Sequence, residues 1–377
     1  MNEKASESTA IVTQVIVKEW FLAMSIGTSF LFAAFGASLL QDLDRPFWLA
    51  TVFIFLFAAV MGSVLCVVRH ADQLAERFGE PYGTLVLTIS ITSVEVMSIS
   101  AIMLHGAQNP TLVRDTLVAV VMIILGGMVG ISLLLGALRH HEQSHNLQGA
   151  NAYLGVIVPL AVISLILPNY TMTTPGPLLS DLQKIALAAM SVGLYGIFLA
   201  LQTGRHRGYF SIGEEKEPKL SHPPKVSPPA LLSALLLIAY LIPVVFLAHE
   251  LAVPIDFAIE TLSAPAALGG FILAVLVATP EAIGAARAAL ANRLQRSVNI
   301  CLGSVLSTIG LTVPTMLVIS WFTGHNIVLG IENSNLVLLP LTLAVSVITF
   351  SSGRTHLLQG AVHVLLFLAF LLLIVQG

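Results

Sequence analysis

Charge is what this chain lacks most. Asp, Glu, Lys and Arg make up 10% of its 377 residues, where a soluble domain carries about 25%. With 56% apolar residues and a mean hydropathy of +0.91, a water-soluble fold is excluded and a polytopic membrane protein is expected. The net charge of −3 offers no basic surface for nucleic acid. Cysteine is nearly absent. Cys66 and Cys301 each sit inside an apolar run, which excludes a disulfide framework and leaves them as small packing residues. There is no zinc-type Cys/His spacing, no HExxH and no GxSxG, so nothing points to an intramembrane enzyme. The opening MNEKASESTA has no basic excess, which argues against a cleaved signal or transit peptide.

What is abundant is the long apolar run. About 20 apolar residues cross a bilayer core as a helix, because lipid cannot satisfy backbone polar groups. Eleven such runs occur, at residues 20–40, 47–68, 82–104, 116–138, 152–167, 182–203, 230–248, 266–290, 298–322, 334–351 and 357–376. The expected fold is an all-α polytopic membrane protein with eleven transmembrane helices. Basic residues test the count, since they favour cytoplasmic loops. With the N-terminus inside, Lys4, Lys18, Arg69, Arg77, Arg139, Arg205, Arg207, Lys216, Lys219, Lys225, Arg287, Arg293, Arg296 and Arg354 fall on the cytoplasmic side. Arg45, Arg114 and Lys184 fall on the other. The expected topology is therefore N-terminus cytoplasmic and C-terminus outside, in a cell membrane.

Two runs carry a carboxylate at mid-depth: Glu95 in the third and Glu281 in the eighth. The other acidic residues read as lying in loops or near helix ends, Glu250 after helix 7 among them. A charge at the bilayer centre costs about 2.5–3.5 kcal/mol on insertion scales, so an intramembrane carboxylate points to function. The two helices lie five apart, and five is odd, so they cross in opposite senses, as in an inverted repeat. Gly83 precedes Glu95, and Gly269 precedes Glu281, by the same interval; Glu76 and Glu260 likewise precede Pro81 and Pro265. The following helices are rich in small residues: Gly126, Gly127 and Gly130, then Gly303, Ser304, Ser307 and Gly310. Residues 1–46 then hold the N-terminal segment and an extra helix. Residues 47–203 form one five-helix half, 204–229 a flexible cytoplasmic linker and 230–377 the second half. HHEQSH at 140–145 reads as a solvated cytoplasmic loop, with transition-metal binding as the alternative.

Around the carboxylates the side chains offer oxygen. Thr88, Thr92 and Ser93 precede Glu95, Thr279 precedes Glu281, and Ser304, Ser307 and Thr308 follow on the next helix. Pro280 cannot donate to the carbonyl of Leu276, and Pro314 frees that of Gly310. Carboxylates, hydroxyls and freed carbonyls suit a hard cation. No cofactor is expected beyond the transported ions.

At these residues the chain resembles the calcium/cation antiporter superfamily, and within it the bacterial ChaA-type calcium/sodium–proton antiporters. The resemblance rests on VRHADQLAERFGEPYGTL (68–85), RDTLVAVVMIILGGMVGISLLLG (114–136), LVATPEAIGAARAAL (276–290) and NICLGSVLSTIGLTVP (299–314). It implies two alpha-repeats, each with a glutamate that binds cation and proton, at Glu95 and Glu281. The family's Asn positions fall on Thr92 and Ala278, so the ligand set here is poorer in amide oxygens. The implied function is exchange of calcium, and of sodium or potassium, for protons by alternating access, with a cation channel as the alternative. The expected partners are transported cations, protons and the lipid bilayer.

Overall fold

The computed structural model describes residues 19–79, 82–104, 109–210 and 229–376. The N-terminal segment and most of the 204–229 linker lie outside the described residues, as does Pro81. All eleven expected helices are present: α1 Trp20–Leu39, α2 Pro46–Phe78, α3 Tyr82–Met103, α4 Leu112–His140, α5 Leu147–Tyr170, α6 Asp181–Thr203, α7 Ala230–Glu260, α8 Ala267–Leu290, α9 Leu294–Thr323, α10 Asn335–Phe350 and α11 Leu357–Gln376. One helix stands before two sets of five.

Two helices outrun their apolar stretches. α2 has 33 residues and α7 has 31, about 50 and 47 Å at 1.5 Å per residue, against a core of about 30 Å. Asp72, Glu250 and Asp256 therefore lie inside helices, not in loops or at helix ends. The carboxylates of α3 and α8 are not alone in being helical. Hydropathy marks where lipid ends, whereas the backbone ladder continues as long as the sequence lets it.

The helices form two compact units. One contains α1, α2, α3 and α7, the other α4–α6 and α8–α11. In the first, α2 packs along α7, and α1 covers both. Near one end of α2, the buried Glu19 carboxylate accepts from Arg69 at 2.5 Å and from the Tyr240 hydroxyl at 2.9 Å. Glu19 thus belongs to the folded unit and fastens α1 to α2 and α7.

In the second unit the loops sort onto two faces. On one face, β1 (Gln143–Ser144) pairs antiparallel with β2 (Arg354–Thr355). There Gln143 donates to the carbonyl of Ala289 at 2.9 Å, and Asn299 donates to that of Phe210 at 2.7 Å. On the other face, Arg114 donates to Glu332 at 2.8 Å and to the Gly330 carbonyl at 3.2 Å. There too Asn169 donates to Ile331 at 2.6 Å and the Val328 amide to Pro110 at 2.9 Å. The loops named on each face are ones expected on one side of the membrane, and they meet one another here. α4 and α9 consequently run in opposite senses, as counterparts in an inverted repeat must. The HHEQSH segment departs from its expected solvation. Gln143 and His145 are each 4% exposed, because the short strand pair and the hydrogen bond from His145 to Phe350 (3.2 Å) tuck them under the adjoining loop. No group of three or more His, Cys, Asp or Glu able to hold a metal occurs among the described residues.

Packing within this unit is reciprocal. α4 lies against α11, and α9 lies against α6, so the third helix of each set of five is covered by the fifth helix of the other set. Gly130 and Gly360 make the first contact possible: a Cβ on either would meet main-chain atoms of the other helix at 2.8 Å. Small residues allow such approach in membranes, where packing rather than water drives association.

Candidate functional site

α3 carries Glu95 at 1% exposure, between the buried Thr92 and Ser98. Thr88 and Ser93 are partly exposed on the same helix. Among these, the Thr92 hydroxyl is buried without a hydrogen-bond partner in the protein. A buried hydroxyl of that kind is costly unless something satisfies it. It is therefore open to an oxygen-seeking ion or water.

In the second unit, Glu281 is partly exposed on α8, one residue past Pro280, which stands inside the helix. Ser304 of α9 donates its hydroxyl to Glu281 Oε2, and Ser307 donates to the Ser304 carbonyl at 2.9 Å. The serine pair thus orients the carboxylate from the neighbouring helix. Thr279 donates to the Val275 carbonyl at 2.6 Å, which occupies its hydrogen but leaves its lone pairs. Leu276 is buried, and its carbonyl is the one Pro280 cannot cap. Thr308 is buried at the next turn of α9. Glu281 and Ser304 are thus brought into contact. Thr279, Leu276, Ser307 and Thr308 flank them, while Thr88, Thr92 and Ser93 accompany Glu95.

Sequence reasoning missed the form of the backbone beside these residues. α4 opens into a π-turn over Ile123–Met128, and α9 into another over Thr308–Thr312. The first begins 28 residues after Glu95 and the second 27 after Glu281. In α9, Val313 bonds back to the Thr308 carbonyl, five residues away, and Pro314 follows with no N–H to give Gly310. π-turns gather at functional sites because they re-aim side chains and release carbonyls. The signal was present in part: Pro314 in α9, and Gly126–Gly127 in α4. Across from the α9 turn, a Cβ on Gly310 would meet the Tyr195 ring of α6 at 3.0 Å. The wide turn is therefore set into an aromatic face. The free thiols of Cys66 and Cys301 add no ligand set.

Comparison with known proteins fits this arrangement. The sodium/calcium exchanger protein family matches residues 48–204 and 232–376. The chain is 40% identical over 318 residues to the sodium-potassium/proton antiporter ChaA of Escherichia coli, covering 84% of this chain and 86% of that one. It is 42% identical over 314 residues to y4hA of Sinorhizobium fredii, covering 83% and 85%. The solved structure of native YfkE superposes with a TM-score of 0.68 at 18% identity, covering 93% of this chain and all of that one. With the family match spanning both segments and most of the chain, the chain belongs to the sodium/calcium exchanger protein family.

Proposed function

We propose that this protein exchanges hard cations (calcium, and sodium or potassium) for protons, with Glu95 and Glu281 as the groups that bind both. It is a secondary transporter of a bacterial cell membrane, not an enzyme, and needs no resident cofactor, because its ions are cargo. The observation that carries this reading is the duplicated unit. In each half a mid-membrane carboxylate stands 27–28 residues ahead of a π-turn, and in the second half a serine hydroxyl already points at the carboxylate. A duplicated carboxylate with hydroxyls in its neighbourhood suits binding, and offers neither the nucleophile–base pair nor the oxyanion hole of a hydrolase. The family's name, and that of the antiporter ChaA, support cation exchange as the process.

The chemistry follows from charge. Each carboxylate can be neutralised by a proton or by a cation, and the two compete for it. A bound cation supplies the compensating charge and the protons leave. If the site crosses the membrane only when neutralised, cation and proton move in opposite directions as one half rocks against the other. One calcium displaces up to two protons and one sodium about one. We assign the halves to residues 47–203 and 230–377, with residues 1–46 as an addition and 204–229 as the cytoplasmic tether. The N-terminus is then inside and the C-terminus outside.

Everted vesicles test the proposal. Adding calcium, sodium or potassium in turn should release protons, and Glu95→Gln or Glu281→Gln should each abolish release while the protein still inserts. Apparent affinity should weaken as pH falls from about 9 to about 6. Near-normal exchange in either variant would remove that glutamate from the mechanism. Ion current without proton movement would make the protein a channel.

A further inference from the structure

A π-turn skips a carbonyl in the helical ladder, and a buried carbonyl needs a partner. In α4 the N–H of Val129 bonds the carbonyls of Ile124 and Gly126, passing over Leu125. The Leu125 carbonyl accepts from His363 Nδ1 of α11 at 2.6 Å. His363 is fully buried, and its Nε2 meets the Thr349 hydroxyl of α10 at 3.0 Å. A carbonyl can only accept, so Nδ1 carries the hydrogen, and Nε2 of the neutral ring takes the hydroxyl hydrogen. Both ring nitrogens are therefore committed. Nothing in the exchange chemistry above uses this histidine, yet it reaches a turn of α4 that lies against both α8 and α9, the helices of Glu281 and Ser304.

We propose that His363 is a positioning residue for the cation site. Its Nδ1–H holds the Leu125 carbonyl in the π-turn, and so fixes which side chains α4 presents to the helix of Glu281. Without that bond the turn closes into regular helix. Removing one residue from a turn rotates everything beyond it by about 100°. The far half of α4 then turns a different face to α8. This inference rests on the antiporter reading for its effect on transport, and on the turn alone for its effect on the backbone.

The test compares wild type with His363→Asn, His363→Gln and His363→Leu. Asn places its amide nitrogen where Nδ1 stands, and Gln places it where Nε2 stands. Two readouts are taken: sodium- and calcium-driven proton release in everted vesicles, and hydrogen–deuterium exchange of peptides covering residues 119–133. His363→Asn should keep the apparent KM within about 2-fold and keep the protection of the turn. His363→Gln and His363→Leu should raise KM about 10-fold at an unchanged maximal rate per folded molecule, with altered protection at the turn. A purely structural role would lower the folded amount and leave KM alone. Equal KM and equal protection in all four proteins overturn the proposal, as does His363→Asn behaving like His363→Leu. Should His363→Leu fail to insert, the Asn and Gln variants decide on the same terms. If the wild type releases no protons for any cation, the antiporter reading fails, and the exchange of the turn still decides whether His363 holds it.

Discussion

Replacing Gly270 with alanine tests the crossing that sets α8 on α4. A Cβ at this position meets the Thr116 nitrogen at 2.6 Å, the Asp115 carbonyl carbon at 2.7 Å and the Asp115 Cβ at 2.9 Å. The two nearest of these are main chain, so no rotamer change relieves them. Ordinary contact begins at 3.4 Å, which requires the helices to part by several tenths of an ångström. Overpacking of this kind costs about 1–3 kcal/mol, while alanine recovers about 1 kcal/mol of helix propensity. The net expectation is a loss of up to about 2 kcal/mol. Gly284 on the same helix supplies the control, since its Cβ would meet only Ile300 Cδ1, at 3.5 Å. Gly284→Ala should therefore keep the propensity gain of about 1 kcal/mol. The two substitutions, chemically identical and fourteen positions apart, should separate in thermal unfolding in detergent by about 1–3 kcal/mol, with Gly270→Ala the less stable. Gly270→Ala should also weaken apparent cation affinity, because Glu281 rides on the displaced helix. Equal stabilisation by both would refute the close crossing.

Other outcomes are equally checkable. Arg114 and Asp115 are both buried and paired at 2.8 Å. Arg114→Met should destabilise by about 3–5 kcal/mol by stranding the carboxylate, and Arg114→Met with Asp115→Leu should restore most of it; a double variant no better than the single would sink this. Burial pulls the His145 imidazole below its usual range, against the raising effect of its bond to the Phe350 carbonyl. The folded chain thus holds His145 neutral while the unfolded chain takes a proton near pH 6.5. Its stabilisation is present above that pH and is lost as pH falls below it. Wild type should lose melting temperature between about pH 7 and 5 faster than His145→Gln, and parallel curves would exclude the effect.

Much of this fold was legible because lipid enforces simple rules. Apolar length gave the eleven helices, and the placement of basic residues gave a loop pairing that the second unit reproduces. Glu95 and Glu281 stood out because a midplane carboxylate is expensive. Helix ends were less legible. Asp72, Glu250 and Asp256 look like loop residues only if a helix must stop where its hydrophobicity does. Gln143 and His145 looked solvated because a polar run carries no sign that a strand at Arg354–Thr355, far along the chain, will cover it. The π-turns were hidden for the same reason. Their surroundings are set across the fold and not along the chain: the Leu125 carbonyl meets His363, and Gly310 lies against Tyr195.

The pairing of α4 with α11 has a consequence for how the protein is made. α4 is almost entirely enclosed, yet part of its wall is supplied by α11, which leaves the ribosome long after it. Its Gly126, Gly127 and Gly130 face Phe367 and Val364, and its Leu125 waits for His363. At about 5–20 residues per second, roughly 10–50 s pass between the end of α4 and the end of α11. Throughout that time the insertion machinery or lipid must shelter a glycine-lined, partly unladdered helix. A chain terminated before residue 357 could still thread the membrane ten times, but it would leave the fourth helix unsealed, a mark by which quality control can recognise an unfinished product.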